Sequence, residues 1–191
     1  MIEPKDQKYG KGSFLIANPV LPDPNFSRTV VLLCNHDEQG SFGLVVNKSA
    51  DLDSDDVFAN IDVLSSYNGK IYVGGPVSQS QVFYLCRSAE PIPELDVVCP
   101  GVQLGMSWDL LESVMERLEN PNQDIRFYLG YSGWGAGQLA GEMERKSWLV
   151  CDAKDHFAFG DDEDRIWEDV VRSLGKDYVY LVKAPVNPQW N

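Results

Sequence analysis

Short β-branched and aromatic runs crowd the first half of this chain, and its two clearest amphipathic helices come only later. That order constrains the fold more than any single motif does. A doubly wound parallel sheet needs strand and helix to alternate steadily, whereas strands in series followed by helices define an α+β architecture. Phe14–Pro19 reads as a first strand, and Pro22-Asp23-Pro24-Asn25-Phe26 as a turn-rich loop that no helix can traverse. Thr29–Asp37 and Phe42–Ser49 flank the short loop Glu38-Gln39-Gly40-Ser41, which is the pattern of a β-hairpin. Lys70–Val77, Gln81–Ser88 and Leu95–Gly105 read as further strands, and Ser147–Ala153 and Tyr178–Ala184 as two more.

Between these runs lie the helices. In Asp51–Ser66, Val57, Phe58, Ile61 and Leu64 fall near helical spacing behind an acidic start, which suits the positive end of a helix dipole. Ser107 is placed to cap a helix whose apolar face is Leu110, Leu111, Val114, Met115 and Leu118, ending at Asn120-Pro121-Asn122. Asp161 is placed to cap a second, with Ile166, Trp167, Val170, Val171 and Leu174 inward and Gly175 as its stop. With 191 residues, no internal repeat and no long linker, the chain is expected to form one domain over 1–191. Residues 1–11 and 185–191 are expected to be less ordered tails, with Trp190 free to dock.

Charge and composition exclude several classes. The formal net charge is −13, from 29 acidic and 16 basic residues, and the basic residues form no stripe. Direct nucleic-acid binding depends on Lys and Arg neutralising phosphates, so this balance opposes it. The longest apolar runs, such as Thr29–Cys34, are too short to span a bilayer, and the first residues lack the apolar core of a secretory signal. The expectation is a cytoplasmic protein without a membrane partner. The four cysteines (Cys34, Cys86, Cys99, Cys151) lie far apart beside apolar runs, without zinc-ligand spacing, and read as buried thiols.

The stretch GYSGWGAGQLAGE (Gly130–Glu142) invites a chemical reading. A strand-like run, Asp124–Tyr131, enters it, and a helix-like run, Gln138–Trp148, leaves it. Gly133, Gly135 and Gly137 space as G-x-G-x-G, which is not the dinucleotide fingerprint, and no P-loop lysine follows. Nor is it a nucleophile elbow, because Gly133 follows Ser132 directly and Trp134 stands where the second glycine is needed. The expectation is a tight strand-to-helix turn with positive φ at one or more glycines, packed under Trp134. The two histidines, His36 and His156, come with no recognisable nucleophile turn. Asp51, Asp53, Asp55 and Asp62 echo a calcium loop, but Asp56 replaces the required glycine and Asp62 the bidentate glutamate. No metal, cofactor or catalytic set is assigned.

Several stretches in order resemble the AlgH/YqgE family of bacterial proteins. Gly12–Lys48 is similar to its N-terminal signature, Tyr72–Val77 to its glycine-glycine-proline segment, and Arg126–Leu149 to its GYxGWxxGQLxxE segment. The last holds Tyr131, Gly133, Trp134, Gly137, Gln138, Leu139 and Glu142 in place, and Ile166–Gly175 fits the C-terminal end. The resemblance implies a single compact α+β domain, with a bent or bifurcated, mainly antiparallel sheet forming a pseudo-barrel and helices packed outside. It implies no catalytic residues. Members are often labelled transcriptional regulators, a role that this acidic chain would exert indirectly rather than on DNA.

The functional expectation is therefore a non-catalytic binding or regulatory protein for a protein or small-molecule partner. The candidate surface is Asn18, Phe26, Asn47, Gly74, Gly75, Pro76, Gly133, Trp134, Gln138 and Glu142. Polar side chains beside glycine turns have no evident strand or core duty, and an exposed Trp134 suits a partner contact. The alternative is an enzyme: a thiol-dependent redox protein or a hydrolase without a familiar motif.

Overall fold

The computed structural model of the chain describes residues 8–184. Its strands are β1 (Ser13–Ala17), β2 (Val30–Asp37), β3 (Gly40–Val45), β4 (Ile71–Val73), β5 (Val77–Arg87), β6 (Asp96–Cys99), β7 (Val102–Gly105), β8 (Ile125–Gly135) and β9 (Trp148–Asp152). Its α-helices are α1 (Ser54–Val57), α2 (Leu111–Met115), α3 (Pro121–Asp124), α4 (Gln138–Glu144), α5 (Asp155–Ala158) and α6 (Glu163–Ser173). The described strands form one nine-stranded sheet: eight follow the order β6-β7-β5-β8-β3-β2-β1-β9, and β4 lies off this path against β8. Among the described residues, only the pairing of β4 with β8 is parallel.

The alternation of side chains across a strand divides the interior into three cores. Phe14 and Ile16 of β1, Leu32 of β2, Leu85 of β5, Val98 of β6 and Leu104 of β7 all enter the central one. Residues from near both edges of the sheet share that cluster, so the sheet curls on itself into a half-barrel. An ion pair from Lys11, just before β1, to Asp96 of β6 spans the two sides. The apolar face of α6, Ile166, Trp167, Val170 and Val171, fills the same core, and the Trp167 indole donates to the Ala17 carbonyl at 2.9 Å. On the other face, Leu15, Val31, Val45 and Val150 pack with Leu139 of α4. Further along, Ile71, Cys86, Ile125 and Phe127 pack with Leu111 and Val114 of α2.

β8 is where the sheet forks. One of its edges pairs antiparallel with β5, while the other pairs with β3 through Ser132–Gly135 and with β4 through Phe127–Leu129. Gly74 sits at the fork: its N–H donates to Leu129 O and its carbonyl accepts from Val45 N, both at 2.9 Å. The Ser132 hydroxyl, fully buried, donates to the same carbonyl at 3.1 Å.

Several sequence expectations are corrected. Tyr178–Ala184 is not a strand: Lys176–Lys183 is a 3-10 helix whose Tyr178, Leu181 and Val182 pack on the central core, the i, i+3, i+4 spacing of a helix. Leu95–Gly105 is a hairpin, β6 and β7, turning at Pro100-Gly101 with Gly101 at φ +78°. Gly133 and Gly135 lie within β8, so the turn into α4 is shorter than expected and rests on Gly137, at φ +74°. That helix ends at Glu144, and Trp148 opens β9 instead. Asp51–Ser66 holds only α1, capped by Asp53 accepting from Asp55 N, and a 3-10 turn at Asp62–Leu64. Ser107 and Asp161 supply no capping bond; α6 starts at Glu163 after Asp162. Trp190 lies outside the described residues. Among the described residues no helix is long and apolar enough to cross a membrane.

Candidate functional site

Four pieces of chain meet beside the end of β8. Trp134 lies near the end of that strand, with its ring turned to the α4 side while Gly133 and Gly135 on either side of it are exposed. One helical turn apart on α4, Gln138 and Glu142 share a face. Trp148, in register with Ala17 of β1, follows the short link after α4. The loop after β1 supplies Phe26, which closes the group from above.

A single carboxylate organises the cluster. Oε2 of Glu142 accepts the indole N–H of Trp134 at 2.9 Å and that of Trp148 at 2.8 Å. Its Oε1 accepts from the Gln138 amide at 3.2 Å, and the Gln138 carbonyl accepts from Gly135 N at 3.1 Å. The rings pack in mutual contact: Trp134 and Trp148 meet edge-on at 6.0 Å, Phe26 meets Trp148 edge-on at 5.3 Å, and Phe26 stacks on Trp134 at 6.3 Å. Both indole N–H groups are thus satisfied despite burial, as aromatic polar tips require.

Over this floor opens a cleft of ≈ 560 Å³, within the range of sites that take small molecules or short peptide segments. Val20, Leu21 and Pro22 form one wall, Pro76 and Val77 another, and Gln138, Glu142 and Arg145 the polar end. Val20 is 67% exposed and Val77 36%, so the walls present apolar side chains to solvent.

Of the residues singled out from sequence, Phe26, Pro76, Gly133, Trp134, Gln138 and Glu142 line this cleft. The expectation of an exposed Trp134 is wrong: the residue is 6% exposed, because its ring is packed on Trp148 and Phe26 and its N–H is spent on Glu142. Gly74 and Gly75 are buried at the fork of the sheet. Asn47 holds the start of β2, accepting from Val30 N at 2.7 Å and donating to Arg28 O at 3.0 Å. Asn18 shapes the cleft from behind, with Oδ1 accepting from Val20 N and Nδ2 donating to Lys146 O, both at 3.2 Å. Sequence reasoning missed Val20, Leu21, Val77, Arg145 and Trp148. Only Trp148 carried a signal, as a second tryptophan one and a half helical turns beyond a helical glutamate.

Other chemistry finds less support. Burial pushes the thiols of Cys99 and Cys151 up to about 11, that of Cys86 up to about 12, and that of Cys34 higher still. A thiol held protonated is a poor nucleophile at neutral pH. Nδ1 of His36 lies 2.7 Å from Oγ of Ser41, but Ser41 is buried and paired opposite Trp134 within the sheet, away from the cleft lining. His156 and Cys99 line a separate cavity of ≈ 520 Å³ beside Lys11 and Lys154. Among the described residues, no three His, Cys, Asp or Glu side chains converge as metal ligands.

Architecture and cleft together define a class: a mixed α+β domain on a curled antiparallel sheet, with a ligand-sized hollow where four pieces of chain meet. A solved structure from Corynebacterium diphtheriae shares this fold at a TM-score of 0.79, covering 94% of each chain at 22% identity. Residues 14–179 match the AlgH-like family profile, and the chain belongs to that family. It is 35% identical over 182 residues to a UPF0301 protein of Cytophaga hutchinsonii, covering 95% of this chain and 98% of that one. The solution structure of the AlgH protein from Pseudomonas aeruginosa superposes with a TM-score of 0.71 at 29% identity, covering 96% and 98%.

Proposed function

We propose that this protein is a non-catalytic binding protein, and that the cleft over Trp134, Glu142 and Trp148 is where its partner docks. One observation carries the reading. Three stretches that bear the family resemblance, far apart in sequence, each send residues to the same hollow: Phe26 from the first, Pro76 from the second, and Trp134, Gln138 and Glu142 from the third. A cleft with apolar walls, an aromatic floor and a few convergent polar groups is the usual form of a recognition site. The carboxylate of Glu142 is occupied by three N–H groups, which suits holding a shape better than moving a proton. A regulatory role would then run through the bound partner, in the cytoplasm, since a chain of net charge −13 is a poor ligand for nucleic acid.

The test is a thermal-shift screen of short peptides and fragments against the wild type and the cleft-wall variants Val20→Asp and Val77→Asp. Both positions are exposed, so both variants should melt as the wild type does. A ligand at ten times its Kd stabilises by about 1.4 kcal/mol, and that gain should vanish in both variants. Ligands that stabilise all three proteins equally would place the binding site elsewhere.

A further inference from the structure

We infer that the cleft is built for a cationic side chain of a partner polypeptide, an arginine or lysine seated against Glu142; this rests on the cleft being the binding site. The carboxylate is half-buried, and its three hydrogen-bond donors are all neutral: two indoles and an amide. Among the described residues it forms no ion pair, although six Lys or Arg pairs with carboxylates occur elsewhere. A carboxylate offers about four lone-pair sites. Three are taken, which leaves one on Oε1, on a residue that lines the cleft. A partly buried anion without a counter-ion gains most from a cation that brings charge and a hydrogen bond together.

The rest of the lining fits such an occupant. Phe26 and the two indoles add the attraction of aromatic rings for a cation. Val20 and Val77 provide apolar wall for the methylene stem behind the charged head. Arg145 shares the polar end, yet it is solvent-exposed, so its repulsion is screened. Together with the second N–H of the Gln138 amide it supplies donors that match peptide carbonyls. That complement selects a polypeptide over a free amine. The net charge of −13 draws a basic segment toward the surface before any contact forms.

Isothermal titration with three blocked pentapeptides decides the matter: acetyl-Ala-Leu-X-Leu-Ala-amide with X as arginine, citrulline or glutamate. Citrulline keeps the shape of arginine without its charge. The arginine peptide should bind about tenfold more tightly than the citrulline peptide, the scale of one charge-assisted hydrogen bond. The glutamate peptide should be weakest. In Glu142→Gln the ratio of arginine-peptide to citrulline-peptide affinity should fall to about one, whatever the change in absolute affinity, and a preference for arginine that persists in this variant would overturn the assignment to Glu142. Should that variant fail to fold, the indole N–H resonances of wild-type Trp134 and Trp148 give the answer. They should move further with arginine than with citrulline, while that of Trp167 stays fixed. Equal affinity for arginine and citrulline would overturn the cation preference and leave the cleft standing as a binding site. No binding by any peptide would also overturn it, and the proposed function falls only if the fragment screen finds no ligand sensitive to Val20→Asp and Val77→Asp.

Discussion

Two glycine-rich segments of this chain look alike on paper and do different jobs. At the fork of the sheet the glycines are there because backbone runs against backbone. A Cβ on Gly74 would lie 2.4 Å from the Gly130 carbonyl oxygen, and one on Gly75 would lie 2.3 Å from Tyr131 backbone. Gly130 closes the contact from the other side at φ +66°, with the Val77 oxygen 2.7 Å from its would-be Cβ. Ahead of α4 the situation is reversed: a Cβ on Gly135 or Gly137 meets nothing within 4 Å. Glycine there leaves open ground beside the cleft, and only Gly137 needs its conformational freedom. One segment lets the sheet divide, and the other borders the side chains that form the floor and polar end of the cleft.

The comparison breaks most easily at Gly75. Gly75→Ala should cost about 4 kcal/mol or more, or prevent folding, because neither neighbour is a side chain able to give way. Gly135→Ala should stay within about 0.5 kcal/mol in the same urea titration. Similar losses for both would erase the distinction. Next comes Glu142→Ala, which strands two indole N–H groups and should cost about 2–4 kcal/mol by the same measurement. Asn47→Ala, losing two bonds to the backbone of β2 and its approach, should cost about 1–3 kcal/mol. A Gln138→Ala change, at an exposed position, should be nearly neutral for stability and still weaken ligand binding.

The smallest effect is electrostatic. Burial alone would raise the carboxyl of Glu163, but hydrogen bonds from Lys70 and Ser49 and the Lys70 charge outweigh it and hold the pKa below its ordinary 4.5. A carboxyl lowered on folding adds stability above its unfolded pKa and loses it as pH falls through the folded value. The wild type should therefore lose a little stability below about pH 4.5 that Glu163→Gln lacks throughout. With Lys70 mostly in solvent, the difference should stay under about 1 kcal/mol.

Much of the fold was legible because local chemistry and global structure agree. The hairpin of β2 and β3 follows from two β-branched runs around a glycine loop, and α6 from an apolar stripe that is buried at Ile166, Trp167, Val170 and Val171. The misreadings fall where a segment's partner is distant. Tyr178–Ala184 is an apolar run rich in aromatic and β-branched residues, as a buried strand would be, yet it packs on the central core at helical spacing. Within the cleft, the turn and motif residues Phe26, Pro76, Gly133, Trp134, Gln138 and Glu142 were visible. Val20, Val77 and Trp148 were not, because the β1–β9 pairing and the fork at β8 bring them together. Trp134 shows the difference most plainly. Sequence marked it as a contact residue, whereas its burial makes it the floor on which contact is made.

Heteronuclear NMR mapping of the best ligand from the fragment screen tests the central claim most directly. Amide and indole perturbations should gather on residues 20–23, 76–77 and 133–148, with the Trp134 and Trp148 indoles among the largest. Perturbations centred instead on the exposed Met106 and Trp108, 59% and 41% accessible, would contradict the assignment of the cleft.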